Sequence, residues 1–179
     1  MKFKLHSKDT APDDSQVLLD KSLSDFGMIP NLHAVMAEAP AVLEAYQTLH
    51  QLFQQTSFDK EELTVIWQTI NHEHQCHYCM PAHTAVAHMM DVDPKVIYAL
   101  REHSALPTEK LQRLHLTTLA LVRNRGHLDD VMKVAFFKAG YAQRQLLEII
   151  LGISQKVMSN YINHLAQTPV DEPFQKFIE

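Results

Sequence analysis

Both cysteines of the chain, Cys76 and Cys79, fall in one stretch, HEHQCHYCMPAH (residues 72 to 83), together with four of its twelve histidines. Thiols and imidazoles are the groups of nucleophilic, redox and metal chemistry, so reactivity is sought here first. Pro81 sets the local geometry. Proline is tolerated in the first turn of a helix, where the backbone N–H has no partner to lose. The helix predicted for MPAHTAVAHMM therefore begins at about His77 or Tyr78, with Cys79 in its first turn and Cys76 at or just before the cap. A helix N-terminus carries roughly half a positive charge. That charge favours thiolate and lowers a free cysteine pKa of ~8.5 towards neutrality. His83 lies four residues after Cys79, on the same face one turn later. It can accept the thiol proton or stabilise the thiolate as imidazolium. Two cysteines three apart across a helix start can also close into a disulfide. These are the parts of a dithiol redox centre.

Zinc is the sharpest rival reading. Cys76, Cys79 and His83, with one of His72, His74 or His77, supply four ligands of suitable type. Structural zinc sites, however, usually draw ligand pairs from two segments and staple domains too small to hold themselves together. Here every candidate sits in one segment of a chain with an ample core, so no metal and no cofactor is expected. Inert packing of the thiols is the third reading. His74 extends the apolar stripe of Leu63, Ile66, Trp67 and Ile70 and reads as a buried, hydrogen-bonded core residue; His72 and His77 read as surface residues.

The elements that must position these groups are helices. Apolar residues recur at 3.6-residue spacing, and strict alternation is nearly absent. Leu43, Tyr46, Leu49 and Phe53 form one stripe after Pro40; the next is opened by the start signal SFDKE at 57 to 61. Val96, Ile97 and Leu100 follow DVDP, and Thr108 is a candidate N-cap for the helix carrying Leu111, Leu114 and Leu121. Gly126 and Gly140 read as stops on either side of a helix over 131–138. Two helices, 143–151 and 154–166, are expected to break near Gly152. The tail TPVDEPFQKFIE is expected to run extended across the surface or a neighbour. At an offset of 83 residues, Phe53, Leu63, Ile66, Ile70 and Tyr78 match Phe136, Leu146, Ile149, Ile153 and Tyr161, a weak internal repeat in which only one copy carries cysteines. The class is all-α.

Whole-chain properties agree. At 179 residues the chain can bury one real core, and 46% hydrophobic with 21% charged residues is ordinary for a globular protein. Only four glycines are present, a shortage that suits long helices and few tight turns. A formal net charge of -5 argues against nucleic acid as a partner. With no apolar N-terminal region and no long apolar run, no membrane partner is expected, and a cytoplasmic protein follows. In a reducing compartment, two cysteines in one motif favour redox or metal chemistry over a structural staple.

The motif C-x-x-C-x-x-x-H opening a helix, here CHYCMPAH, resembles the alkylhydroperoxidase D-like, "peroxidase-related" branch of the carboxymuconolactone decarboxylase family. The segments GMIPNLHAVMAEAPAVLEAY, FFKAGYAQRQLLEIILGIS and NYINHLAQTPVDEPF extend the resemblance from about residue 25 to 175. It implies one all-helical domain over 1–179, with a core of about 25–167, an internal pseudo-repeat and a homo-oligomer, trimer or hexamer. It also implies a thiol-dependent peroxidase acting on hydrogen peroxide or a small organic hydroperoxide. Cys79 would be the peroxidatic residue, Cys76 the resolving one, and His83 part of a proton relay. Re-reduction would come from a lipoyl-bearing or thioredoxin-like dithiol. The family pattern places a glutamate twelve residues before the first cysteine; this chain has Thr64 there. Glu62, about 200° away on a regular helix, and Glu73, beside the motif, are the candidate substitutes for that relay acid. The residue before Cys79 is Tyr78, where some peroxidase relatives have histidine. Thr64 also motivates an alternative, a dithiol–disulfide oxidoreductase or redox sensor that does not use peroxide. The lactone decarboxylation that names the family needs no C-x-x-C pair and is a remote alternative, as is a zinc-stabilised module.

Overall fold

A computed structural model describes residues 2–178. Among them are nine α-helices, one C-terminal 3₁₀ helix and no strand: α1 (Asp13–Phe26), α2 (Asn31–Met36), α3 (Pro40–Gln54), α4 (Lys60–Glu73), α5 (Cys79–Met89), α6 (Pro94–Arg101), α7 (Glu109–Arg123), α8 (Asp130–Lys138), α9 (Gln143–Ala166) and the 3₁₀ helix Glu172–Phe177. No helix among the described residues is long and apolar enough to cross a membrane. The expected starts are where the capping residues place them. Asp59 accepts from the Glu62 N–H at 2.8 Å while the Glu62 carboxylate accepts from the Asp59 N–H at 3.1 Å. Thr108 accepts from the Leu111 N–H and Asp93 from the Lys95 N–H.

α4 is the axis of the fold. Every residue from Glu62 to Asn71 is buried, so this helix is covered on all faces, by α7, α9, α5 and α6. Two apolar clusters flank it. One joins α3 through Phe53 to α4, α5, α6, α7, α8 and α9 around Trp67, Leu114 and Phe136; the other joins α1, α2 and α3 around Leu19, Leu43 and Tyr46 and includes Cys76, Tyr78 and Cys79.

The 83-residue offset reappears in three dimensions. The N-caps Asp59 and Ala142 stand 83 apart, Phe53 and Phe136 are both fully buried, and so are Ile66 and Ile149. Gln145 accepts from the Ala142 N–H at 3.0 Å as Glu62 does from Asp59. The match ends at the motif: Tyr78 is 3% exposed and Tyr161 58%.

Two expectations are corrected and two helices are added. The break near Gly152 does not occur, and α9 is one helix of 24 residues. Gly152 is where Phe53 lies against the helix backbone: a Cβ there would meet Phe53 Cε2 at 2.7 Å. The glycine serves close approach, not termination. The tail is not wholly extended, because Glu172–Phe177 coils against α5, with Phe177 stacked on His88 at 5.3 Å. Finally, α1 and α2 precede the first stripe read from the sequence, and α1 packs on α2 and α3.

Candidate active site

The turn between α4 and α5 positions the thiols. α4 ends at Glu73, and Gln75 turns the chain with φ 51, leaving the Cys76 N–H bonded to the Asn71 carbonyl at 3.0 Å. The Cys76 sulfur then accepts the Cys79 N–H at 3.3 Å, capping the first turn of α5. Asn71 Nδ2 donates to the Cys79 carbonyl, and Gln68 Nε2 donates to the Met80 carbonyl and to Thr84 Oγ1. Both sit on the buried helix α4, so the start of α5 is anchored to the axis of the fold. Cys79 is the first residue of α5 and Pro81 the third, as their types require.

Both cysteines are free and buried. They differ in access: Cys79 and His83 line a cavity of about 850 Å³, and Cys76 does not. They also differ in charge. Burial pushes the Cys79 thiol up, but a hydrogen bond from Cys76, the Lys156 ammonium, and hydrogen bonds from Ser159 and Asn160 outweigh it and hold Cys79 well below the ordinary cysteine value. The hydrogen bond to Cys79, then burial and the Cys79 charge, push Cys76 up. Cys79 is thus the more acidic of the two and Cys76 the less. Asn163 Nδ2 donates to Cys79 Sγ at 3.3 Å and lies 4.0 Å from Cys76 Sγ.

Lys156, Ser159, Asn160 and Asn163 are all wholly buried on one face of α9. Their chemistry was hidden in the sequence; the signal available was a polar stripe at helical spacing on an otherwise apolar helix. The repeat was read as chemistry in one copy only, yet Ser159, the residue matched to Cys76, lies with its Oγ 3.9 Å from Cys79 Sγ.

His83 is 7% exposed, its ring 4.8 Å from that of Trp67. Burial first, then the charges of Lys156 and His50, hold it well below the ordinary imidazole value, so it is neutral. Lys156 Nζ lies 2.9 Å from His83 Nε2. An ammonium can only donate, so Nε2 accepts and the proton of the neutral ring sits on Nδ1. His83 Nδ1 has no partner among the described residues. The cation beside the thiolate is therefore Lys156 and not a histidine imidazolium, a correction to the simpler sequence reading of His83.

The two candidate relay acids are not brought to His83. Glu62 closes the capping box of α4 and pairs with Lys110 at 2.8 Å. Glu73 points to α7, where Arg123 grips it with two hydrogen bonds of 2.9 and 2.8 Å. Thr64 is buried and returns its hydroxyl to the Lys60 carbonyl at 2.8 Å. The surrounding histidines are engaged separately: His74 is half-buried and bonded to Asn160, while His77 is exposed and bonded to the Thr168 carbonyl. Among the described residues no group of three or more His, Cys, Asp or Glu side chains is placed to hold a metal ion.

The rest of the cavity combines aromatic and apolar side chains with a polar flank of Lys21, Asp25, Gln47, Gln51 and Gln54. Tyr46, Met89 and Met90 line it, whereas Leu63 and Trp67 lie behind its wall in the core. Phe26, His33, Tyr46, His50, Trp67 and His83 follow one another with ring centroids 5.5, 5.4, 6.3, 5.7 and 4.8 Å apart. Tyr78, between the cysteines, donates to Asp171 Oδ2 at 2.5 Å, and Asp171 Oδ1 accepts from the Asn31 N–H. This tie holds the C-terminal segment, with Pro173 and Phe174, at the cavity rim.

Neither family models nor curated proteins give a match to this chain. Solved structures do. The alkylhydroperoxidase AhpD core of an uncharacterized peroxidase-related protein from Ralstonia eutropha JMP134 superposes with a TM-score of 0.84 over 97% of this chain and 93% of that one, at 17% identity. The fold is AhpD-like. An uncharacterized peroxidase-related protein from Silicibacter sp. TM1040 matches over 97% and 95% at TM-score 0.80 and 16% identity. The debrominase Bmp8, in complex with 2,3,4-tribromopyrrole, matches over 100% and 98% at TM-score 0.82 and 17% identity. The AhpD-like fold thus spans the chain, and its all-helical character agrees with the resemblance read from CHYCMPAH.

Proposed function

We propose that this chain is a thiol-dependent peroxidase of the alkylhydroperoxidase type, with Cys79 peroxidatic, Cys76 resolving and His83, with Lys156, handling the proton. The observation that carries this reading is the asymmetry of the pair: Cys79, the cysteine that lines the cavity, is also the one pushed towards the thiolate form. Cys79 attacks the terminal oxygen of a hydroperoxide, the O–O bond breaks, and Cys79 becomes a sulfenic acid while the leaving alkoxide takes a proton and departs as alcohol. The Lys156 ammonium, hydrogen-bonded to His83, is the proton donor. Cys76 then attacks the sulfenic sulfur; the Cys76–Cys79 disulfide forms and water leaves. An external dithiol, lipoyl-bearing or thioredoxin-like, restores both thiols by exchange. Hydrogen peroxide or a small organic hydroperoxide is the substrate, and no cofactor takes part. Exposed apolar side chains on α8 and α9, Val131 at 80%, Leu147 at 73% and Leu165 at 71%, support a homo-oligomer that covers them. Pre-reduced protein mixed with cumene hydroperoxide is expected to lose two thiols per chain in one turnover and to gain a Cys76–Cys79 disulfide by mass. Unchanged thiols would sink the proposal.

A second reading is favoured by the cavity itself. About 850 Å³ walled by aromatic rings is far more room than a small peroxide requires. A dithiol reductase acting on a ring-shaped substrate suits that space, and one AhpD-like structure is a debrominase holding a brominated pyrrole. Such a reaction converts an aryl halide and two thiols into arene, halide, a proton and the Cys76–Cys79 disulfide. Halide release from a bromophenol, with cumene hydroperoxide left intact, would select it over the first.

A further inference from the structure

His50, on α3, lines the cavity with Cys79 and His83, yet neither the motif nor the redox chemistry above uses it. Its ring belongs to a chain of hydrogen bonds with one permitted direction. The indole N–H of Trp67 lies 2.8 Å from Gln155 Oε1, and an indole nitrogen can only donate. That contact fixes the Gln155 amide with its oxygen towards Trp67 and its NH₂ towards His50. Gln155 Nε2 then donates to His50 Nδ1 at 2.9 Å. An Nδ1 that accepts carries no proton, so the proton of the neutral ring sits on Nε2. Burial, with the Lys156 and Lys21 charges, lowers the His50 pKa to about 4, which keeps the ring neutral at physiological pH. His50 Nε2 has no hydrogen-bond partner among the described residues. Gln155 and Trp67 are 0% and 1% exposed, so the lock is set deep in the core and cannot be relaxed by solvent.

The result is a single N–H donor of known direction, held among rings. Tyr46 and Trp67 both stack on His50, with ring centroids 6.3 and 5.7 Å away, and Phe26 is 6.2 Å away. We propose that His50 is a substrate-binding residue, whose Nε2–H hydrogen-bonds the acceptor oxygen of a molecule with an aromatic body, an aryl alcohol, a phenol or the corresponding hydroperoxide. The inference rests on the reading that substrate meets Cys79 in this cavity, and it narrows the substrate class. A ring body lies against Phe26 and Tyr46, and its oxygen is held by a donor that cannot turn into an acceptor. A ligand whose only polar group is a donor is refused, because His50 offers it no lone pair. In the peroxidase cycle the same donor stabilises charge growing on the leaving alkoxide oxygen without itself giving up a proton.

The chain has one tryptophan, Trp67, in direct ring contact with both His50 and His83, so its emission reports occupancy of this wall. The test is a fluorescence titration of reduced protein with 2-phenyl-2-propanol and with cumene, which has the same body but no oxygen. His50→Phe is expected to weaken the alcohol about tenfold, the loss of one hydrogen bond, and to leave cumene unchanged. His50→Gln, which keeps a donor, is expected to stay within about threefold of wild type. Nitrogen shifts of labelled His50 in the wild-type protein are expected to show Nε2 protonated and Nδ1 bare. Equal loss of both probes in His50→Phe, unchanged alcohol binding, no binding of either probe to wild type, or an Nδ1-protonated His50 would each overturn the proposal. A thiol that ignores cumene hydroperoxide while the alcohol–cumene difference persists overturns the peroxidase reading and leaves this one standing.

Discussion

α4 and α9 start 83 residues apart, at the caps Asp59 and Ala142, yet α4 stops at Glu73 while α9 runs unbroken to Ala166. In the first copy the chain turns through Gln75 and begins again at Cys79, which places one sulfur at a helix start and the other as its cap. In the second copy the corresponding residues stay helical, and their polar side chains form a straight, wholly buried row from Gln155 to Asn163. The first copy supplies both sulfurs, Cys76 included as a hydrogen-bond donor to Cys79, and the second adds the Lys156 charge and the hydrogen bonds of Ser159 and Asn160. Divergence of two like halves has produced a site that neither half contains alone.

The variant expected to damage this division most is Lys156→Met, which keeps the helix and removes the ammonium. Without it Cys79 returns towards, or through burial above, an ordinary thiol, and its iodoacetamide alkylation at pH 6 should slow by about 100-fold or more. A loss under threefold would show that α9 does not supply the charge. Next in size is acid sensitivity. Burial lowers His33 to about 3, His50 is lowered to about 4, and His83 is held well below the ordinary value. Below pH 6.5 the unfolded chain takes up protons at these rings that the folded chain does not. The histidine contribution to stability is therefore full above about pH 6.5 and is lost as pH drops towards 4; the depressed Cys79 adds a contribution that is full only above the unfolded thiol value of ~8.5 and declines as pH falls below it. Urea unfolding at pH 7 and 4.5 should differ by at least about 3 kcal/mol; equal midpoints would contradict the buried neutral histidines.

Gly152→Ala tests the continuity of α9. On an open helix this change would stabilise by up to about 1 kcal/mol. Here the new Cβ meets the fully buried Phe53 ring at 2.7 Å, and a loss of about 1–3 kcal/mol is expected by thermal or urea unfolding. Stabilisation would mean that Phe53 does not press on the second copy. The smallest effect sharpens the likeness of the halves. Ala142 is exposed and extended and lacks the side-chain cap that Asp59 gives α4. Ala142→Asp should gain about 0.5–1 kcal/mol, read in the same unfolding assay, and no gain would weaken the equivalence of the two starts.

The parts of this picture legible in the sequence are local ones. Pro81 reports the start of α5, Asp59 and Thr108 report caps, and the periodic stripes report helices, because each rule acts within a turn or two of chain. CHYCMPAH and its flanks also carried the AhpD-like likeness that the solved structures show in three dimensions. What stayed hidden depends on distant contacts. Gly152 looks like a break until Phe53, 99 positions earlier, is seen against it. Lys156 looks like an ordinary surface lysine of a helix; only the packing of α9 on α3 and α4 buries it beside Cys79. Glu62 and Glu73 were near the motif in sequence, but a cap and Arg123 claim them. α1 carries mostly polar residues with only Leu19 as a wholly buried large side chain, so its stripe was too thin to read.

The most direct measurement is a thiolate titration by absorbance at 240 nm on wild type and Lys156→Met, followed from pH 4 to 10. The division of labour between the halves predicts one thiolate per chain in wild type persisting at pH 6, lost in Lys156→Met, with the second thiol, Cys76, silent throughout. Two thiols titrating together near the ordinary ~8.5 in both proteins would contradict it.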